Sequence, residues 1–192
     1  MTRIVGIGGK LASGKDAISD HLVENHGWVK LGMSDALADA LYVLNPLIEV
    51  PGGRHEFSII QRYQELFNAV GYVKAKENPE VRRLLQMLGT EVGRNMIGEN
   101  VWTDIIERRI RALVSQGVPG IIVTGIRFPN EVSVIESNLD GELWWVNRPS
   151  LEETVNAGHA SENSVGIDDF HIVIENDSTL DALYGKVDRL ID

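Results

Sequence analysis

The chain contains no cysteine, which excludes both a disulfide framework and a thiolate zinc site. Its five histidines are scattered along the sequence and predict no metal cluster. No apolar run approaches the roughly 18 residues of a membrane span, and the N-terminus lacks the apolar core of a signal peptide. We therefore expect a cytoplasmic protein without a membrane partner.

Positive charge is also scarce, because 18 Lys and Arg residues stand against 28 Asp and Glu residues, a formal net charge of -10 at pH 7. A chain with this balance is repelled by the phosphates of a nucleic-acid backbone, so no nucleic-acid partner is expected. Any phosphate that binds must therefore bind at a local positive site.

Strand and helix patterns alternate along the 192 residues, whose apolar content of 43% is ordinary for a globular protein. This alternation predicts an α/β fold, with a mostly parallel sheet of about five strands and helices on both faces. We expect one domain over residues 1–192. The predicted strands are Arg3–Ile7, Trp28–Leu31, Gly120–Thr124, Glu142–Val146 and Phe170–Ile174.

Helical spacing of apolar residues predicts the remaining elements. A helical subregion is expected over about residues 35–116, and a polar loop that could act as a lid over about residues 147–163. The stretch Pro46–Arg54, which contains two adjacent glycines, is predicted as a loop. The predicted helices are Asp16–Glu24, Asp35–Leu44, Ser58–Val70, Pro79–Met96, Val101–Ser115, Asn130–Ser137 and Thr179–Ile191.

The stretch "GIGGKLASGKD" follows the first predicted strand and has the spacing Gly9-x-x-x-x-Gly14-Lys15 of a phosphate-binding loop. Backbone N–H groups of such a loop can surround an anionic phosphate, and Lys15 can reach the outer phosphates. The alternative is an ordinary glycine-rich turn. A dinucleotide fingerprint is disfavoured, because Leu11 stands where its third glycine belongs.

A second informative stretch is "NPEVRRLLQMLGTEVGRNM", residues 78–96. Two glycines inside a predicted helix cost about 1 kcal/mol each against alanine, so a close ligand or a neighbouring helix is expected beside them. A solvated basic face is the alternative. The apolar stripe is Val81, Leu84, Leu85, Leu88 and Val92, and the polar stripe is Arg82, Gln86, Gly89 and Gly93, flanked by Arg83, Thr90 and Arg94.

Seven sequence blocks occur in an order that resembles the bacteriophage deoxynucleoside monophosphate kinases of the P-loop kinase superfamily. They are "GKLASGKD", "KLGMSDALADAL", "VRRLLQMLGTEVGR", "VTGIRFPNEV", "WWVNRP", "HASENSV" and "VIENDSTLDAL". The resemblance implies transfer of the γ-phosphate of ATP to a deoxynucleoside monophosphate, which gives a diphosphate and ADP. ATP and Mg²⁺ are the implied cofactors.

The resemblance also assigns residues. The implied catalytic cations are Lys15, Arg82, Arg127 and Arg148. The implied ATP-binding residues are Gly9, Lys10, Ser13, Gly14, Lys15, Asp16 and Ala17, with Asn176 in the turn near adenine. The implied acceptor-binding residues are Asp35, Arg82, Arg83, Gly89, Thr90, Trp102 and Arg127. The chain departs from its relatives at Gly125, where an aspartate is frequent, and at Ala38, where many have a lysine.

Asp16 stands where most P-loops carry the Ser or Thr that binds Mg²⁺, and the third predicted strand ends without an acid. We infer that Asp16 supplies the carboxylate for Mg²⁺, directly or through water. Asp35 is either an alternative metal or substrate contact or the N-cap of its helix. No general base is needed, because the second pKa of a monophosphate lies near 6 and its oxygen is already anionic.

Two other functions stay open at this stage. One is a P-loop kinase for another phosphorylated small molecule, such as phosphomevalonate or dephospho-coenzyme A. The other is a non-catalytic nucleotide-binding regulatory protein. His159, Ser161 and Glu162 lie in the predicted lid and are either surface residues or ligand contacts. The sequence leaves the accepted base and the formation of a homodimer open.

Overall fold

The computed structural model describes residues 1–51, 57–150 and 164–191. The chain divides into two compact units, one of Met1–Met33 with Thr103–Asp192 and one of Ser34–Trp102. The grouping of all residues into one domain stays a prediction. Most of the predicted lid, including His159, Ser161 and Glu162, lies outside the described residues.

The first unit contains a five-stranded sheet in the order β2-β5-β1-β6-β7, with every neighbouring pair parallel. All five predicted strands are present within two residues of their predicted ends, and the α/β fold class is confirmed. The β-branched and aromatic runs of the three central strands β1, β5 and β6 are mostly buried, as a sheet covered on both faces requires, whereas the edge strands β2 and β7 are partly exposed. The strands are β1 Arg3–Gly8, β2 Val29–Gly32, β5 Gly120–Thr124, β6 Glu142–Asn147 and β7 Ile172–Glu175.

Helices cover both faces of this sheet. On one face, Ile18 and Leu22 of α1 and Val187 of α7 pack in one core with Val5 and Ile7 of β1. The opposite face of β1 carries glycine, because a Cβ at Gly6 would lie 2.5 Å from the side chain of Ile126. The elements are α1 Lys15–His26, α5 Val101–Ser115, α6 Pro129–Ser133 continued by a π-helical turn Val134–Asn138, a 3₁₀ turn Ile167–Asp169 and α7 Leu180–Ile191.

The second unit is helical apart from one hairpin. Its core contains Leu41, Ile48, Tyr63, Val81 and Leu85. The predicted helix over residues 79–96 is a short α-helix that continues as a π-helix. The elements are α2 Asp35–Leu44, β3 Leu47–Val50, β4 Ile59–Arg62, α3 Tyr63–Ala75, α4 Pro79–Gln86 and the π-helix Met87–Ile97.

The hairpin corrects two predictions. Strands β3 and β4 pair antiparallel, from Leu47 opposite Arg62 to Val50 opposite Ile59. The prediction of a loop over Pro46–Arg54 is therefore wrong for β3, and the predicted helix start at Ser58 is wrong, because α3 begins at Tyr63. Each strand has four residues, too few for alternating burial to stand out beside a glycine pair. None of the helices in the described ranges is long and apolar enough to cross a membrane.

Candidate functional site

The loop between β1 and α1 is held in a conformation that glycine permits. Gly9 has φ 138° and Gly14 has φ 111°. A Cβ at Gly9 would lie 2.5 Å from the backbone oxygen of Val146, and one at Gly14 would lie 2.6 Å from Asn176 Nδ2. The two glycines therefore let the loop pack closely on the end of β6 and on the turn after β7.

Two side chains from these neighbouring segments hold the loop. The buried Asn176 amide donates from Nδ2 to the Ser13 backbone oxygen at 2.8 Å. Arg148 donates from Nη1 to the Ala12 backbone oxygen at 3.2 Å. Asn176 thus contacts the loop itself, and its predicted adenine contact stays a prediction. Arg148 contacts the loop at Ala12, and its predicted catalytic role stays a prediction.

The Lys15 ammonium is hydrogen-bonded to backbone oxygens of the loop. Its Nζ donates to the backbone oxygens of Gly9 at 2.7 Å and Lys10 at 2.6 Å. Burial is the main cause that lowers the pKa of Lys15 below its usual value, with Asp16 opposing the shift and Arg127 adding to it. Lys15 is also the first residue of α1, whose N-cap Gly14 provides no side-chain capping bond. The positive charge of Lys15 and the N-terminus of α1 together favour the binding of an anionic ligand.

Arg127 follows β5, and the polar turn that carries it is fixed by Glu131. The backbone N–H groups of Arg127 and Phe128 donate to Glu131 Oε2 at 2.7 and 3.1 Å. Glu131 is only 8% exposed, whereas Arg127 is exposed. Sequence reasoning did not single out Glu131. The available signal was Pro129 at the first helical position with a glutamate at the third.

Asp16 is an exposed carboxylate next to a lysine that sequence reasoning also missed. The Asp16 side chain is 86% exposed, and its Oδ1 lies 3.4 Å from Lys30 Nζ. Lys30 also binds Asp20 Oδ1 at 2.9 Å. Burial lowers the pKa of Lys30, but the hydrogen bonds and charges of Asp20 and Asp16 outweigh it and raise the pKa above its usual value. The Asp16 oxygens are accessible hard ligands of the kind that Mg²⁺ binds.

In the second unit, two adjacent arginines differ in their surroundings. Arg83 forms a two-point contact with Glu80, from Nε to Oε2 at 2.8 Å and from Nη2 to Oε1 at 2.7 Å. Arg82 is exposed, and its guanidinium has no hydrogen-bond or ion-pair partner among residues 1–51, 57–150 and 164–191. Arg82 is therefore available to an incoming anion, whereas the planar fork of Arg83 is already occupied.

The two helix glycines of this unit accommodate neighbouring helices. A Cβ at Gly89 would lie 3.1 Å from Leu37 of α2, and one at Gly93 would lie 2.4 Å from the Trp102 indole nitrogen. The Trp102 indole N–H donates to the Gly89 backbone oxygen at 2.9 Å. A neighbouring helix, one of the two causes expected from the sequence, therefore accounts for both glycines. Trp102 packs on the π-helix, and its contact with a substrate stays a prediction.

Asp35 is not the N-cap of its helix. Helix α2 begins at Asp35, and the capping position is taken by Ser34, which makes no side-chain capping bond. The Asp35 carboxylate lies near Tyr72: burial is the main cause that raises the pKa of Tyr72, a hydrogen bond with Ser34 opposes the shift, and the negative charges of Asp35 and Asp39 add to it. The capping interpretation of Asp35 is therefore wrong, and a substrate contact stays a prediction.

The predicted site residues divide between the two units. The first unit brings together the glycine loop and the residues that hold or neighbour it: Gly9, Lys10, Ser13, Gly14, Lys15, Asp16, Ala17, Arg127, Arg148 and Asn176. The second unit carries Asp35, Arg82, Arg83, Gly89, Thr90 and Trp102, with Thr90 exposed. Lys10 is exposed, and Ala17 is half-buried in the first turn of α1.

Comparison with known proteins extends these observations. The profile of a family described as deoxynucleotide monophosphate kinase matches residues 51–187. A deoxynucleoside-5'-monophosphate kinase of Escherichia phage T5 is 33% identical over 89 residues, 44% of this chain and 34% of that protein. A deoxynucleotide monophosphate kinase of Escherichia phage RB69 is 25% identical over 148 residues, 77% of this chain and 58% of that protein. The matched part thus spans about a third of the length of the T5 protein and somewhat more than half of the length of the RB69 protein.

A solved structure gives an independent comparison of the fold. Dephospho-CoA kinase from Campylobacter jejuni superposes with a TM-score of 0.50 over 100% of this chain and 96% of that chain, at 11% identity. At this level of identity the likeness concerns the fold alone.

Proposed function

Because this chain belongs to the deoxynucleotide monophosphate kinase family, we propose that it transfers the γ-phosphate of ATP to a deoxynucleoside monophosphate, giving a diphosphate and ADP. The observation that carries the proposal is the position of Lys15, whose Nζ lies 2.7 and 2.6 Å from two backbone oxygens of the glycine loop at the start of α1. Phosphate oxygens can replace these loop oxygens as partners of the ammonium.

The donor phosphates would bind along the loop and the first turn of α1. Backbone N–H groups there, together with Lys15, supply positive charge without a bulky side chain, and partial burial strengthens each contact. Arg127 lies close enough to Lys15 to lower its pKa, and Arg148 reaches the loop at Ala12. Both arginines can therefore neutralise charge that builds up on the phosphoryl group as it moves.

The residues near the loop fit a magnesium ion through one carboxylate. Asp16 is 86% exposed and has oxygens free to bind the ion or its water shell. When bound, Mg²⁺ would neutralise negative charge on the phosphates. Lys30 competes for the same carboxylate and can remain with Asp20 when Asp16 turns to another partner.

The acceptor monophosphate would bind in the second unit. Arg82 of α4 is exposed, and its planar guanidinium has no hydrogen-bond partner among the described residues. It can therefore make a two-point contact with a phosphate. Thr90, exposed two turns further along, offers a hydroxyl to the same ligand. The acceptor oxygen is already anionic at neutral pH, so catalysis consists of in-line alignment and charge neutralisation.

An assay of ADP release across a panel of acceptors tests this proposal. We expect turnover with at least one of dAMP, dGMP, dCMP and dTMP in the presence of ATP and Mg²⁺. Turnover with dephospho-coenzyme A or phosphomevalonate in place of these would reassign the acceptor. Binding of ATP without turnover on any acceptor would instead support the regulatory function.

A further inference from the structure

Two histidines of α1 and an aspartate of α7 converge on one point. His21 Nε2 lies 2.7 Å from Asp188 Oδ1, and His26 Nε2 lies 2.9 Å from the same oxygen. These three potential ligand atoms all lie within 4.8 Å of one another. The sequence separates Asp188 from the histidines by more than 160 positions, so spacing along the chain gave no indication of the cluster.

The cluster is partly fixed and partly open. The His21 ring is 11% exposed and stacks on Tyr184 with ring centres 4.3 Å apart and planes 3° from parallel. His26 and Asp188 are 29% and 40% exposed. One ligand is therefore held rigidly by packing, while the other two border solvent and leave a route for an ion.

We propose that His21, His26 and Asp188 bind a divalent transition-metal ion such as Zn²⁺, through Nε2 of both imidazoles and an oxygen of the carboxylate. Zinc is bound by His nitrogen and carboxylate oxygen at about 2.0–2.2 Å, which places neighbouring tetrahedral ligands about 3.3–3.4 Å apart. The observed nitrogen–oxygen separations are 2.7 and 2.9 Å. An outward movement of about 0.5 Å therefore accommodates the ion, and water completes the fourth position.

Proton positions agree with this exchange. In the hydrogen-bonded arrangement each ring can donate an Nε2 proton to Asp188, whereas a metal needs the Nε2 lone pair, so the proton moves to Nδ1. Asn25 Nδ2 lies 3.1 Å from His21 Nδ1. A turn of this amide would present its oxygen to the new Nδ1–H, the kind of outer contact that orients a metal-bound histidine, in exchange for the hydrogen bond that Nδ2 now donates to the His21 backbone oxygen at 3.2 Å.

The position of the site suggests a structural role. Leu183 of α7 lies 3.4 Å from where a Cβ of Gly14 would be, so α1 and α7 are in contact where α1 begins. The metal would join the two helices again at His26, the last residue of α1, where helix carbonyls favour a cation. The imidazole ligands favour Zn²⁺-like ions over Mg²⁺, so this site is separate from the magnesium proposed at Asp16.

Metal binding can be measured on the full chain after treatment with a chelator. Titration with Zn²⁺ against a chromophoric competitor should give one site per chain, Co²⁺ should give the absorption of a tetrahedral nitrogen and oxygen site, and Zn²⁺ should raise the melting temperature. His26→Gln and Asp188→Asn should each weaken Zn²⁺ binding about a hundredfold or more and abolish the Zn²⁺-dependent rise. Far-ultraviolet circular dichroism without metal verifies that both variants fold.

His171→Gln provides a matched control. His171 Nε2 lies 2.8 Å from Glu136 Oε1, so this substitution also removes a histidine–carboxylate contact, but one outside the proposed site. It should keep the Zn²⁺ affinity and the cobalt spectrum of the parent protein. Equal Zn²⁺ affinity in the parent, His26→Gln and Asp188→Asn proteins would overturn the proposal, as would loss of binding in His171→Gln alone. In either case the cluster would be a set of hydrogen bonds between two helices.

Discussion

Lys30 Nζ lies 3.4 Å from Asp16 Oδ1, so an ammonium group from β2 lies beside the carboxylate that follows the loop lysine, Lys15. The same ammonium binds Asp20 at 2.9 Å, one turn further along α1. Lys30 is thus shared between two carboxylates and has the stronger contact with Asp20. A metal ion at Asp16 would compete with the weaker of the two contacts, so we expect Lys30 to influence metal affinity at the proposed ATP site.

Replacement of the loop lysine tests the donor site. Lys15→Met removes the ammonium that lies 2.7 Å from the Gly9 oxygen, and with it the charge expected to follow the moving phosphoryl group. Turnover should fall by at least about a hundredfold. Steady-state ADP release measures this, and circular dichroism verifies the fold. Lys74→Met is the control, because Lys74 is exposed on α3 and should keep parental turnover. Near-parental turnover of folded Lys15→Met would remove the loop from the mechanism.

The packing of Trp102 on the π-helix predicts a change in stability. A methyl group at Gly93 would lie 2.4–2.7 Å from three atoms of the indole ring, so Gly93→Ala should lower the free energy of unfolding by about 1–3 kcal/mol. Urea unfolding measures this. Gly185→Ala is the control, for which we expect a change in stability of the opposite sign. A Cβ at Gly185, inside α7, would have its nearest neighbouring side-chain atom 3.9 Å away, at Arg189. It should raise stability by about 0.5–1 kcal/mol. A neutral Gly93→Ala would argue against close packing of this indole.

The sequence predicted the sheet well, because its central strands are buried on both faces and therefore appear as apolar runs such as "GIIVT". The hairpin of β3 and β4 was missed, since it is exposed at most positions and its pattern is weak. The sequence could predict a phosphate-binding role for loop residues Gly9, Gly14 and Lys15 because all the residues that such a loop needs lie within a few consecutive positions.

Contacts between distant segments could not be predicted in the same way. Nothing local to Lys30 indicates that it meets Asp16, and nothing local to Asp188 indicates that it meets two histidines. Such pairs depend on which strand and helix lie side by side, which is settled by the packing of the whole unit. The pairing of Arg83 with Glu80 is an exception, since a separation of three residues on a helix brings side chains together.

Arg82 tests the acceptor site. Arg82→Ala should raise the Michaelis constant for the acceptor about tenfold to a hundredfold, because hydrogen bonds to a charged group contribute about 1.5–3 kcal/mol. The constant for ATP should change far less. Arg82→Lys should rescue poorly, since lysine lacks the planar fork. Arg83→Ala should have a smaller effect, because Arg83 is engaged with Glu80. Equal effects of Arg82→Ala on both substrates would place the acceptor elsewhere.

The position of Lys30 beside Asp16 predicts that removing its charge lowers the magnesium concentration that the reaction needs. Lys30→Met removes the cation beside Asp16 and Asp20, so the magnesium concentration at half-maximal rate should fall about threefold to tenfold, as expected from a charge interaction of about 1 kcal/mol near 4 Å in water. Rate measurements over a magnesium titration at fixed ATP give this value, with Lys74→Met as the control. A rise in the half-maximal concentration would mean that Lys30 contacts the nucleotide phosphates directly.

Asp16 itself should show the opposite sign. Asp16→Asn removes an anion that attracts the metal and repels the triphosphate, so the half-maximal magnesium concentration should rise while metal-free ATP binding stays similar or improves. Asp16→Ser should function better than Asp16→Ala, because a hydroxyl can still bind the ion, as it does in most P-loops.

Asp16 also lies in the first turn of α1, where its negative charge can stabilise the helix through the helix dipole by under about 1 kcal/mol. If that is its role, all three variants will melt slightly lower and keep the parental magnesium curve. An unchanged curve in Asp16→Ala would therefore exclude Asp16 as the metal carboxylate.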